Sequence, residues 1–93
     1  MPSIKSIHLI IHGIVQGVNF RFSTRQKALS LGLKGWVRNK KDGSVEAVAE
    51  GSEEAISEFV KWCNTGPEMA IVTKVQIKEV TASSMLGKFS IEF

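Results

Sequence analysis

Alternating apolar and polar positions predict five β-strands in this chain. The stretches concerned are residues 7–12, 34–40, 44–51, 71–80 and 88–93. In the first stretch, Ile7, Leu9 and Ile11 share one face, as expected for a strand with one side against a core. The second and third stretches flank Lys41-Asp42-Gly43, and a glycine-containing connection between two such runs indicates a hairpin.

Faces can be assigned to the last two predicted strands in the same way. In the fourth stretch, alternation predicts one face that carries Ile71, Thr73, Val75 and Ile77. A polar loop over residues 81–87 follows. The last strand is predicted to place three apolar residues on one face, namely Phe89, Ile91 and Phe93.

Residues at helical spacing predict two helices. The first is indicated by Phe22, Arg25, Ala28 and Leu29, with its end near Gly32. The second has Ser52 as its expected N-cap, two acidic residues in its first turn, and Gly66-Pro67 beyond its end. Its apolar positions recur at i, i+3, i+4 and i+7, which are Ile56, Phe59, Val60 and Cys63.

The order of these elements predicts an α+β fold of the ferredoxin-like, split β-α-β-β-α-β kind. We expect an antiparallel sheet with both helices on one face and a short C-terminal fifth strand. In this topology the first and second strands run parallel, with the third inserted between them. Their C-terminal ends therefore lie at the same edge of the sheet, and this decides which residues can meet.

Composition narrows the class of protein. The 93 residues suffice for one domain, 1–93, and the hydrophobic fraction of 43% is that of an ordinary globular protein. Twelve basic and nine acidic residues give a net charge of +3, which favours an anionic ligand without indicating nucleic acid.

The single cysteine, Cys63, indicates a reducing, cytoplasmic compartment. No stretch has the roughly 18 apolar residues of a membrane helix, and the N-terminal apolar run is too short for a signal peptide.

The stretch G-I-V-Q-G-V-N-F-R, residues 13–21, lies where the first strand passes into the first helix. It puts Arg21 near the positive end of the helix dipole, where a cation is unfavourable by about 0.3–1 kcal/mol. A bound anion would compensate for this cost. Backbone N–H groups from about Gln16 through Arg21 can converge on such an anion, and Gly13 and Gly17 permit the positive φ values that the turn needs. The alternative is a tight turn with a surface arginine.

Asn39 is a second candidate, near the C-terminal end of the second strand and at the same edge as the loop. With one strand between them, the two backbones are about 9–10 Å apart. An arginine and an asparagine can both reach a group held in that gap. The alternative is a hairpin-flanking asparagine that bonds its own backbone.

These residues resemble a known family. Residues 13–21 are similar to the acylphosphatase loop G-x-V-Q-G-V-x-F-R, and G-W-V-R-N-K-K-D-G-S-V-E-A-V-A-E-G, residues 35–51, resembles that family's other signature. Gly66-Pro67, with Ala70 and Val72 after it, and the closing F-S-I are also similar. The resemblance covers essentially the whole chain.

The resemblance implies hydrolysis of the carboxyl–phosphate bond of acyl phosphates by a small, monomeric enzyme without cofactor or metal. It implies catalytic roles for Arg21 and for Asn39, which would orient the attacking water. It assigns phosphate binding to the loop, here Val15, Gln16, Gly17, Val18, Asn19, Phe20 and Arg21. Three positions depart from the family pattern: Ile14 and Glu92 stand where basic residues are common, and Phe93 stands where tyrosine is common.

Two other classes of function compete with this reading. A non-catalytic module that binds an anion or metabolite could use the same fold, since fold does not fix function. The paired Arg21 and Asn39 argue against it, because binding alone does not need a water-holding amide. An RNA-recognition module shares the element order, but its central strands expose paired aromatics. The third strand here, S-V-E-A-V-A-E, has none.

Three further residues are interpreted as structural. His8 and His12 lie four residues apart on a strand, about 13 Å, which is too far to share a metal ion. Cys63 falls on the apolar stripe of the second helix, which predicts a buried, inert thiol.

Overall fold

The computed structural model describes residues 3–82 and 86–93. Seven elements follow one another along the chain. They are β1 (Ile4–Ile14), α1 (Phe20–Ser30), β2 (Lys34–Asn39), β3 (Val45–Ser52), α2 (Glu53–Cys63), β4 (Ile71–Val80) and β5 (Ser90–Ile91). The predicted order of strands and helices is confirmed. The polar loop predicted over residues 81–87 includes residues 83–85, which lie outside the described residues.

The five strands form one sheet in the order β4-β1-β3-β2-β5. β3 pairs antiparallel with both β1 and β2, so β1 and β2 run parallel with β3 between them, as predicted. The sheet is nevertheless mixed, because β5 pairs parallel with β2 through Trp36↔Ser90 and Val37↔Ile91. The prediction of a wholly antiparallel sheet was wrong at this edge. β4 is antiparallel to β1 and therefore also to β2. β5 runs in the opposite direction to β4 and so is parallel to β2.

The core lies between the sheet and the two helices. Ile7, Leu9 and Ile11 are each at most 1% exposed, which confirms the predicted inner face of β1. Aromatic rings join the elements above the sheet: Phe20 of α1 lies 5.6 Å from Trp62 of α2, and Phe59 lies 5.9 Å from Phe89, between ring centroids. No helix in the described part of the chain is both long and apolar enough to cross a membrane.

α1 buries one face along its length. Phe20, Thr24 and Ala28 are buried at i, i+4 and i+8, whereas Phe22, one of the residues whose spacing predicts this helix, is 47% exposed. Two residues correspond to about 200° of rotation around a helix. Phe22 therefore points away from the face that Phe20 buries.

β4 also departs from its predicted alternation. Ile71 and Ile77, assigned to one face with Val75, are 58% and 46% exposed. The register with β1 shifts between His12 and Gly13, so that His12 lies opposite Lys74 and Gly13 opposite Val72. Such a β-bulge interrupts the period of two. As a result Val72 and Val75, three residues apart, both pack against the core.

Candidate active site

The topology brings the loop after β1 and the end of β2 to one edge of the sheet, where they line a cavity of about 320 Å³. The residues that line it are Val15, Gly17, Asn19, Phe20, Arg21, Phe22, Asn39, Ile91 and Phe93. Arg21 and Asn39 therefore share one cavity. Two of the loop residues predicted to bind substrate, Gln16 and Val18, are not among the lining residues.

The loop backbone is shaped by two left-handed residues. Gly17 has φ +75° and Asn19 has φ +67°. Asn19 is also the N-cap of α1, but its side chain makes no capping hydrogen bond. The N–H of Ser23 donates to the carbonyl oxygen of Asn19 at 3.0 Å. The N–H groups that precede Ser23 are the ones that a helix leaves without internal partners, and here they lie beside the cavity.

The two helix N-termini are completed in different ways. At α2 the Ser52 hydroxyl accepts a hydrogen bond from the N–H of Ala55 at 3.1 Å, and Glu53 and Glu54 occupy the first turn. At α1 there is no side-chain cap and no acidic residue in the first turn, which instead contains Arg21. The start of α1 thus has uncompensated positive charge and is electrostatically suited to an anion.

Arg21 is half-buried at the mouth of this loop. Its guanidinium carbon lies 5.2 Å from the centroid of the Phe93 ring, which is a cation–π distance. Within residues 3–82 and 86–93, no ion pair involves Arg21. Its five N–H donors are therefore not committed to a carboxylate of the described chain.

Asn39 ends β2, opposite Val45 of β3. Its side-chain carbonyl oxygen Oδ1 is buried and has no hydrogen-bond partner among the described residues. Leaving a buried acceptor unsatisfied costs about 1–3 kcal/mol. The amide is therefore not the self-bonded hairpin residue of the alternative interpretation, and Asn39 is one of the residues that line the cavity.

Gln16 has a structural role that the sequence analysis did not predict. Its side-chain Nε2 donates to the carbonyl oxygens of Lys40 at 2.7 Å and Ser44 at 2.8 Å. These bonds fasten the loop to the hairpin that follows Asn39. A polar residue inside the otherwise apolar V-Q-G-V run was the available signal. Within the hairpin, the Ser44 hydroxyl and the Ser44 N–H both donate to the Asp42 carboxylate. These hydrogen bonds lower the pKa of Asp42 below its ordinary value of 3.8.

The residues interpreted as structural have partners or are buried. His8 Nε2 lies 2.7 Å from Glu46 Oε2, and His12 Nε2 lies 2.9 Å from Gln76 Oε1. In the described ranges, no group of three or more His, Cys, Asp and Glu side chains is placed to hold a metal ion. Cys63 is fully buried, and burial raises the pKa of its thiol. A buried, protonated thiol is a poor nucleophile, as predicted.

Fold and cavity together define a ferredoxin-like α+β protein with an anion-suited loop at one edge of its sheet. The chain matches the family model for acylphosphatases over residues 7–91. It is 48% identical over 89 residues to an acylphosphatase of Acaryochloris marina, covering 96% of this chain and 91% of the relative. This chain belongs to the acylphosphatase family, and the class predicted from the loop and β2 motifs, a hydrolase, is confirmed.

Solved structures agree in shape. The acylphosphatase from Coxiella burnetii superimposes with a TM-score of 0.91 at 38% identity, covering 96% of this chain and 93% of that one. The acylphosphatase from Bacillus subtilis gives 0.92 at 35% identity, covering 98% and 100%. The ferredoxin-like fold is therefore confirmed by similarity as well as by topology.

Proposed function

We propose that this acylphosphatase hydrolyses the carboxyl–phosphate bond of acyl phosphates through Arg21 and Asn39, releasing a carboxylate and inorganic phosphate. Besides membership of the family, one observation carries this assignment. A single cavity is lined by an arginine without an ion pair and an asparagine with a buried, unpartnered acceptor, as judged over the described residues. The guanidinium of the arginine suits the phosphate, and the acceptor of the asparagine suits the attacking water.

The phosphoryl group binds at the start of α1. Backbone N–H groups of the loop, residues 15–21, donate to its oxygens, and the guanidinium of Arg21 supplies a permanent, forked positive charge. A loose phosphoryl-transfer transition state spreads negative charge over the equatorial oxygens. Donors fixed in position before the reaction stabilise that charge without reorganising.

Asn39 positions the attacking water. Its Oδ1 accepts a hydrogen bond from the water, and its Nδ2 donates to a phosphate oxygen. A neutral amide does not remove the proton, so its contribution is orientation. Because the water oxygen is already held in line with phosphorus, the reaction does not have to wait for a correctly oriented water from bulk solvent.

The proposed reaction does not need a side chain that acts as a general acid or a general base. The water oxygen forms a bond to phosphorus while the bond from phosphorus to the acyl oxygen breaks, and the acyl oxygen keeps the electron pair. Carboxylic acids have pKa values near 4, so the departing carboxylate needs no proton at neutral pH. The proton lost by water passes to a phosphate oxygen, giving inorganic phosphate.

The test is steady-state hydrolysis of benzoyl phosphate by wild type, Arg21→Ala and Asn39→Ala, with a chelator present throughout. We expect Arg21→Ala to lower kcat/KM by at least about a thousandfold, since it removes charge stabilisation and binding together. We expect Asn39→Ala to lower kcat by about a hundredfold while the inhibition constant of inorganic phosphate changes less than about threefold.

Arg25→Ala and Asn64→Ala are the matched controls. Both residues lie on or beside helices and outside the lining of the cavity, so each should retain wild-type kinetics. An unchanged kcat in Asn39→Ala would contradict its role. A folded wild type that binds phosphate but turns over no acyl phosphate would instead favour the non-catalytic binding module. Loss of wild-type turnover in the chelator would contradict the metal-free reaction.

We further infer a monomer that acts in the cytoplasm. One copy of the chain supplies the loop, Arg21 and Asn39, so the proposed reaction does not require a second copy. A buried, reduced Cys63 fits a reducing compartment. Light scattering on the purified protein at the assay concentration tests the monomer directly. The single domain 1–93 and the absence of a nucleic-acid partner stay predictions.

A further inference from the structure

Two exposed aromatic rings lie at the cavity without serving the core. Phe22, in the first turn of α1, is 47% exposed and lines the cavity. Phe93 also lines it, is fully exposed, and has its ring against the Arg21 guanidinium. α1 buries its other side, so the fold does not account for Phe22. An exposed aromatic beside a binding site is available to a ligand.

The lining of the cavity includes buried and exposed groups. Asn39 Oδ1 is buried, whereas the rings of Phe22 and Phe93 are exposed. Phe22 lies about 200° around α1 from the buried Phe20, which places its ring on the side away from the sheet. In-line transfer puts the attacking water and the leaving carboxylate on opposite sides of phosphorus. A substrate whose phosphorus is attacked by a water held at Asn39 therefore directs its acyl group away from that buried amide, toward the exposed ring of Phe22.

We propose that Phe22, together with Phe93, forms an acyl-binding rim that favours acyl phosphates with an aromatic or extended apolar acyl group over those with a small one. This inference rests on the proposed function, because the loop must first hold the phosphoryl group. The rim is a specificity device. Apolar contact with the acyl group persists in the transition state, so it lowers KM with little effect on kcat.

Phe22 is the residue on which to test the rim. Phe93 also contacts Arg21, so its replacement would alter phosphate binding as well. Phe22→Ala is compatible with folding, because the ring is outside the core and alanine is the best helix former. Phe22→Tyr retains the ring and serves as the conservative variant. Ile77→Ala is the matched control, since Ile77 is 46% exposed on β4 and outside the lining of this cavity.

The experiment measures kcat and KM of each variant for benzoyl phosphate and for acetyl phosphate. Selectivity is the ratio of kcat/KM for benzoyl to that for acetyl phosphate. We expect Phe22→Ala to lower this ratio about fivefold, which is what losing an aromatic contact of about 1 kcal/mol predicts. The loss should come from a higher KM for benzoyl phosphate. Phe22→Tyr and Ile77→Ala should both keep the wild-type ratio.

Two results would overturn the rim. If the selectivity ratio changes by less than twofold in Phe22→Ala, the Phe22 ring does not contact the acyl group. If both substrates lose kcat/KM equally, Phe22 acts on the phosphate site rather than on the acyl group. A folded wild type that hydrolyses neither substrate would overturn the proposed function itself, and the rim with it.

Discussion

The side chain of Gln16 joins two segments that are far apart in sequence, the loop before α1 and the hairpin after β2. Its Nε2 reaches the carbonyl oxygens of Lys40 and Ser44, immediately beyond Asn39. The loop that leads to Arg21 is thereby tied to the chain immediately after Asn39. In the proposed reaction Gln16 is a positioning residue, and its side chain acts through the geometry of two others.

Replacing Gln16 with methionine removes both hydrogen bonds at similar side-chain length. The two carbonyls keep backbone partners, the N–H groups of Gly43 at 3.2 Å and Lys40 at 2.8 Å, so the protein should still fold. We expect the free energy of unfolding to fall by about 1–2 kcal/mol and kcat for benzoyl phosphate to fall about tenfold.

Gln76→Met is the control for this prediction, because Gln76 also makes a side-chain hydrogen bond, to His12, but on the exposed part of β4. Stopped assays at a temperature where each variant is fully folded separate kcat from stability. Equal kcat values in the two variants would show that Gln16 does not position the site.

At the scale of elements, the close pairing of β1 with β4 depends on Gly13. Its φ is +127°, and a Cβ built there would lie 2.0 Å from the carbonyl oxygen of Ile71. This is the position of the bulge at which the register of the two strands shifts. Gly13 therefore serves strand pairing rather than a close approach of the loop to its ligand.

Gly13→Ala should lower the free energy of unfolding by about 3 kcal/mol, from backbone strain and displacement of β4 together. Gly43→Ala is the matched control: Gly43 has φ +93° but open space around its Cβ position, so only strain of about 1–2 kcal/mol applies. Urea unfolding curves give both values. Equal losses would mean that the contact with Ile71 is relieved without cost.

Local patterns were enough to predict most elements. The strict alternation in β1 and the Ser52 cap with the i, i+3, i+4, i+7 stripe of α2 each reflect one buried face, and both were predicted correctly. β4 was misassigned because a bulge changes which residues face inward and leaves no mark in the composition of the strand. The parallel pairing of β5 depends on how the chain crosses the sheet, which a two-residue strand does not encode.

The candidate site was predictable only in part. Arg21 and Asn39 could be chosen because topology dictates that their strand ends meet. The spacing of Phe22 indicates a helix but does not show which way its ring faces. Its position at the cavity, 47% exposed, is apparent only from the structure.

At the scale of the molecule, a charged network crosses the open face of the sheet. Glu46 of β3 accepts from Arg38 Nε on β2 at 2.6 Å and lies 2.7 Å from His8 of β1. Desolvation raises the pKa of Glu46, but the hydrogen bonds with His8 and Arg38 and their charges outweigh it, so its pKa lies below 4.5. The guanidinium of Arg38 also lies 5.1 Å from the Trp36 ring. Three strands are tied together by one carboxylate.

A lowered pKa makes this contribution pH-dependent in a definite direction. The unfolded chain binds the proton on Glu46 at a higher pH than the folded protein does, so stability rises with pH through this window. The stabilisation is complete above the ordinary value of 4.5 and is lost as the pH falls through the lower folded value. Glu46→Gln should cost about 1–2 kcal/mol at pH 7, and the difference from wild type should shrink below about pH 4.

Chemical denaturation from pH 3 to pH 7 measures this difference directly. Glu58→Gln, which alters an exposed carboxylate on α2, is the control and should show a smaller difference at pH 7. A difference between Glu46→Gln and wild type that stays constant across the range would mean that the cost of the substitution does not come from the charge of the carboxylate.

The proposed phosphate cradle, made of peptide N–H groups, has a consequence for how the sequence can vary. Every residue except proline supplies the same donor, so only a substitution by proline deletes an N–H group of the loop, and the loop side chains are free for other tasks. Val15 uses that freedom to fill the core, and Gln16 to reach the hairpin. Under the proposed reaction, inactivating substitutions that spare the fold are expected mainly at Arg21 and Asn39. The other loop positions answer to packing, to the left-handed backbone of Gly17 and Asn19, and to the hydrogen bonds of Gln16.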